Sequence, residues 1–225
     1  MAVIHNVELR PTKLELLTDW LPTRPWYRGG AGAPRPAKAG GFRLDDPRGE
    51  VGIEFMVVTD ASGPLPVAYL VPLTYRGAPL AGAEHALVGT MEHEVLGRRW
   101  AYDGCQDPVA AAQLRALIAG RVQAQDQNTS DAVDREVTRS CAVEDSIATD
   151  AVPTDFSGTG GDDDEGTELP APAGLTLRLH RVLRPVPDGA AMSAPGTAGH
   201  VAGAWRQPDG SRARGLFATV RTTAR

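Results

Sequence analysis

Glu92, His93 and Glu94 form a tight group of acid and base side chains in sequence, and an imidazole between carboxylates can move protons. They are the acid/base cluster this sequence offers an enzyme. His85 lies eight residues before His93, with Glu84 beside it. A zinc site would use HExxH or CxxC spacing; both are absent, so the histidines read as surface or partly buried residues. Cys105 and Cys141 lack CxxC spacing and a histidine companion in sequence. No Ser occupies a GxSxG elbow, and the GTGG run at 158–161 lacks the Lys-Ser or Lys-Thr of a phosphate-binding loop. Asp162, Asp163, Asp164 and Glu165 are adjacent carboxylates without EF-hand spacing, hence a solvated charge run. No catalytic residue, metal or cofactor is assigned.

A second group is a candidate recognition surface. Arg24, Trp26, Tyr27 and Arg28 place two of the chain's eight Trp and Tyr residues on a proline-stiffened turn between cations. They either close a core beneath the preceding helix, the ordinary use of such aromatics, or stack on a sugar or a partner. That helix is predicted by Thr12 and Glu15, a capping box, and by the apolar stripe of Leu14, Leu17 and Leu21 with Leu16 and Trp20 alongside. Pro22 ends it.

The 29–41 stretch, GGAGAPRPAKAGG, reads as an exposed loop. Val51–Thr59 and Val67–Tyr75 read as an antiparallel hairpin, with Pro72 demoting its strand to an edge or a bulge. Ala86–Met91 and Glu94–Tyr102 supply further strands. Asp107-Pro108 opens a second helix with an acidic cap and Pro at its first position, and Gly120 closes it. The 123–131 run, QAQDQNTSD, is a polar linker. The acidic, glycine-rich 158–166 run is expected to be a mobile loop. Leu175, Leu177 and Leu179 alternate with Thr176, Arg178 and His180 as one strand, and His200–Trp205 with Arg212–Val220 form a hairpin around Gln207–Gly210.

With 225 residues, 23% charged, and a net charge of −5, the chain can bury a core and carries no broad attraction for nucleic acid. Its 25 glycines and 18 prolines favour short strands over a helical bundle. No apolar run approaches the ~18 residues of a membrane span, and the polar N-terminus is unlike a signal peptide. A reduced, cytoplasmic setting without membrane contact is expected. The fold class is α+β: a curved antiparallel sheet with a packed helix over residues 1–104, then a second β-rich portion over 105–225 with one helix, the acidic loop and the C-terminal hairpin.

Trp20-Leu21 followed by Arg24-Pro25-Trp26-Tyr27 resembles the N-terminal cap of actinobacterial maltokinases and related aminosugar kinases. Weaker similarity runs through Val51–Leu73, Gly97–Gly104 and Leu175–Pro185. The resemblance implies a cystatin-like cap and a link to trehalose, maltose or glycogen metabolism. It also implies a catalytic lobe that the 225 residues do not contain. The position matching the family's nucleotide-binding lysine is Arg178, whose planar head does not replace a compact ammonium. The expected function is therefore a non-catalytic binding or regulatory module. The alternatives are an accessory subunit completing a separately encoded sugar kinase, or an enzyme acting on a sugar through Glu92, His93 and Glu94. Expected partners are a sugar kinase, a glucan-metabolising enzyme or a saccharide.

Overall fold

The computed structural model describes residues 9–30, 32–129, 132–148, 161–169, 171–172, 174–187 and 196–223. In chain order these form β1 (Leu9–Arg10), α1 (Lys13–Trp20), β2 (Pro36–Leu44), β3 (Gly52–Asp60), β4 (Val67–Arg76), β5 (Leu87–His93) and β6 (Gly97–Asp103). There follow α2 (Pro108–Ile118), β7 (Thr138–Cys141), α3 (Glu144–Ile147), β8 (Gly166–Leu169), β9 (Leu175–His180), β10 (Val182–Leu183), β11 (Thr197–Arg206) and β12 (Arg212–Thr222). All strand pairings are antiparallel, in the order β1-β5-β6-β4-β3-β2-β11-β12-β9-β8. The fold is α+β, as the strand-rich pattern with a leading helix predicts.

The sheet curls back on itself. β10 follows β9 directly and pairs with β4 through Val182↔Tyr69 and Leu183↔Ala68, so a late strand returns to the early β3–β4 hairpin. Alternation then sends the side chains of β3 into two cores. Ile53, Phe55 and Val57 join α2, β9, β11 and β12 in one cluster, while Met56 and Val58 lie under α1 with Tyr69, Val71 and Leu73. Burial on both faces explains why VGIEFMVVT becomes continuously apolar instead of keeping a period of two.

Both helix starts form as their sequences dictate. Thr12 and Glu15 make the reciprocal capping box, and Asp107 caps α2 by accepting the Val109 N–H. Helix α1 packs so closely on β5 that a Cβ at Gly89 would lie 2.6 Å from Leu16 Cδ2. Leu17, Trp20 and Leu21 are buried beneath it.

Three expectations need correction. The 29–41 stretch is not loop throughout: β2 begins at Pro36. Composition hid it because Gly40 and Gly41 serve close approach, not a turn. A Cβ on Gly40 would sit 3.2 Å from Ala204 O, and one on Gly41 would sit 2.0 Å from Phe55 O. Pro72 neither ends nor bulges its strand, whose register with β3 is unbroken. It falls between the pairings of β4 with β10 and β6, on the side where Leu70 N–H donates to Arg181 O, so no ladder bond is lost. The acidic run, finally, is fixed where it is described. Asp163 forms a two-point ion pair with Arg178 at 2.7 and 2.6 Å, and Asp162 accepts the Thr167 hydroxyl at 2.5 Å. Its residues 158–160 lie outside the described residues, as do Ser130 and Asp131 of the polar linker and the first eight residues of the N-terminus.

Candidate functional site

The aromatic turn after α1 is a corner in which nearly every group is committed inward. Trp26 is fully buried, so it is a core residue and not part of a recognition surface. It meets Trp20 edge-on at 5.7 Å and Tyr69 at 5.6 Å, and the Arg181 guanidinium lies 5.1 Å from its ring centre. Arg181 is itself fully buried and pairs with Asp103 at 2.5 Å while donating to Thr167 at 2.7 Å.

Tyr27 is half-buried, and its hydroxyl donates to Asp60 Oδ2 at 2.7 Å. The Asp60 carboxylate also accepts the Arg35 N–H, the Ser62 N–H and the Ser62 hydroxyl. Burial alone would raise its pKa, but these hydrogen bonds outweigh it and hold the group below its ordinary value. Burial pushes the Tyr69 phenol up to about 12. Arg24 stacks over Trp20 at 5.0 Å, and Arg28 is exposed but paired with Glu165, which also holds Arg184 at 2.7 Å. What remains open at this corner is a pair of arginines, each already engaged.

Glu92, His93 and Glu94 lie at the β5 end of the β5–β6 hairpin and do not converge. Glu92 pairs with Arg98 at 2.7 Å on the surface. His93 Nδ1 accepts the N–H groups of Val95 and Leu96, which fixes the turn. Alternation along the strand puts His93 on the opposite face from Glu92, and Glu94 is exposed beyond it. Among the described residues, no three His, Cys, Asp or Glu side chains are placed to hold a metal. Cys105 and Cys141 are both free thiols, and burial raises the pKa of Cys105 well above its ordinary value.

A cleft among the described residues lies elsewhere. β2 and β11 are joined at one residue pair, Trp205↔Gly40, and beside that joint opens a cleft of about 640 Å³. That volume suits a small ligand, for which ~300–1,000 Å³ is usual. The cleft is lined by Lys38 to Gly41 of β2, by residues 126–128 and 133–137, and by Trp205 and Phe217. Backbone bonds in both directions between Arg43 and Gln125 anchor the start of the 126–128 stretch, and Asp126 accepts the N–H groups of Asn128 and Thr129.

These anchors turn Gln127 inward. It is 9% exposed, and neither end of its amide has a hydrogen-bond partner among the described residues. A Cβ on Gly41 would lie 2.1 Å from Gln127 Nε2, so a glycine there is what admits the amide. Lys38 donates to Asn128 Oδ1 at 3.2 Å across the mouth. Desolvation lowers the Lys38 pKa and raises that of Asp134, as expected of charges drawn toward a cleft.

Residues 20–107 match the family model of the maltokinase N-terminal cap domain. Over that stretch, less than half of the chain, the sequence is similar to this cap domain. No curated protein matches the chain. The matched stretch includes Trp20-Leu21, the 24–28 turn, the strands from β2 to β6 and the cap of α2, whereas Leu175–Pro185 lies outside it. It supplies Lys38 and Gly41 to the cleft, while Gln127 comes from the chain beyond it. Sequence reasoning missed Gln127 because a glutamine in a polar run looks solvated. The one available signal was the Gly40-Gly41 pair, which in a strand marks a close neighbour.

Proposed function

We propose that this chain is a non-catalytic, cytoplasmic binding or regulatory module of the maltokinase-cap kind, working beside trehalose, maltose or glycogen metabolism. The match of residues 20–107 to the cap family carries this reading. Two further features support it. The acid/base group at Glu92, His93 and Glu94 is spread over two faces of a hairpin, and among the described residues lining the polar cleft there is no Ser or Cys to act as a nucleophile. Among the described residues no helix is long and apolar enough to cross a membrane.

A module of this kind acts by binding a saccharide or by docking on a sugar kinase or a glucan-metabolising enzyme. Affinity capture from native cytosol, with the same chain assayed for ATP-dependent phosphorylation of maltose, tests it. The expected result is a carbohydrate-metabolising partner or a bound saccharide, with no turnover by the chain alone. Phosphoryl transfer by the purified chain, or saccharide turnover abolished by His93→Ala, would overturn it.

A further inference from the structure

We propose that the cleft between β2 and residues 126–128 and 133–137 binds a small neutral polyhydroxylated ligand, a saccharide unit, through both ends of the buried Gln127 amide. The proposal rests on the reading of the chain as a non-catalytic binding module and adds to it a site and a ligand class.

Eight buried polar side-chain atoms of the described residues lack a partner, and two of them belong to Gln127. It is the one side chain among them with two polar atoms unpaired. The indole N–H groups of Trp20 and Trp26 are enclosed among aromatic rings and have no cleft to face. An unpaired buried donor or acceptor is costly, and Gln127 carries that cost on the wall of a cavity. A carbonyl oxygen beside an NH2 matches two adjacent hydroxyls, one donating and one accepting.

Charge and shape narrow the ligand further. Around the cleft Lys38, Arg135, Arg206 and Arg212 face Asp126, Asp134 and Glu136; Arg212 pairs with Glu136, and Lys38 donates to the neutral Asn128. The buried, unpaired group on the wall is a neutral amide, which suits uncharged hydroxyls, whereas a phosphate would be drawn to the arginines instead of the amide. A peptide strand is disfavoured because the outer edge of β2 is already taken at Gly40 by Trp205 and at Arg43 by Gln125, leaving too short an edge for strand addition. A ring with vicinal hydroxyls needs no backbone edge. Val133, 45% exposed, gives the mouth an apolar lip for its carbon face.

The test is calorimetric titration of the full chain with maltose, trehalose and glucose 1-phosphate, repeated on Gln127→Met. The expected result is binding of a neutral saccharide, weakened at least tenfold by Gln127→Met, with a melting temperature unchanged or raised. A structural glutamine would give a lower melting temperature instead. Should that variant fail to fold, Val133→Arg obstructs the mouth from an exposed position and carries the same expected tenfold loss. Saccharide binding retained by these variants, or binding of glucose 1-phosphate without maltose or trehalose, overturns the cleft assignment. If no saccharide binds but a carbohydrate-metabolising partner is captured, the assignment falls and the module reading stands. If neither occurs, both fall.

Discussion

The Trp26 corner and the Gln127 cleft use polar side chains in opposite ways. At the corner, Asp60 accepts four hydrogen bonds, Arg28 and Arg184 share Glu165, and Arg181 is neutralised by Asp103. At the cleft, Gln127 is almost as buried as the corner's residues and both ends of its amide are unpaired. The corner is where α1, the 24–28 turn and the returning β10 are fastened to β3 and β4. The cleft is where β2 and β11 part after one residue pair. Conspicuous aromatic and charged residues thus went to holding the sheet in its curl, and an inconspicuous amide was left buried and unpaired on the wall of a cleft.

The largest expected effect is at the corner. Trp26→Ala removes a fully buried indole between Trp20, Tyr69 and Arg181 and should cost about 3–5 kcal/mol in denaturant unfolding. A loss near zero would mean that the corner is not a fastening point. Next comes Gly41→Ala, with φ at +121° and two close neighbours. It should cost about 1–3 kcal/mol and displace Gln127, so that saccharide binding falls together with stability. Binding left intact would separate Gly41 from the cleft's function.

Acid titration sharpens the contrast with smaller effects. Asp60 has a folded pKa below its unfolded value, so its contribution is present above the unfolded pKa and is lost as pH falls through the folded one. Asp60→Asn should flatten the stability curve below about pH 4. Asp134 is shifted the other way by burial. The folded state then prefers the protonated form, and stability contributed by this site rises as pH falls through its raised pKa. Asp134→Asn should accordingly gain about 0.5 kcal/mol or less at pH 7. Equal signs for the two variants would erase the difference between the regions.

Much of the frame was legible in the sequence because local rules and tertiary packing agree there. Thr12 and Glu15, Asp107-Pro108 and the Gln207–Gly210 turn each specify a helix start or a hairpin that the fold keeps. The aromatic turn was legible as a motif but not as a role, since sequence cannot say whether Trp26 points into a core or out of it. β2 was missed because its glycines answer to neighbours distant in sequence, Trp205 and Gln127. β7 and β8 are four-residue strands whose sequences lack any clear apolar alternation. The acidic run is held by Arg28, Arg178 and Arg184, partners that only the curl brings within reach. Gln127 was invisible for the same reason: its meaning lies in what the fold places beside it and in what it leaves unpaired.

The most direct test follows the Gln127 side-chain NH2 resonances by nuclear magnetic resonance during addition of maltose or trehalose to the full chain. The account predicts that these resonances shift saturably, with Lys38 and Val133 amides moving alongside and the Trp26 indole signal unchanged. A saturable shift at Trp26 or at His93, with Gln127 unmoved, would contradict it.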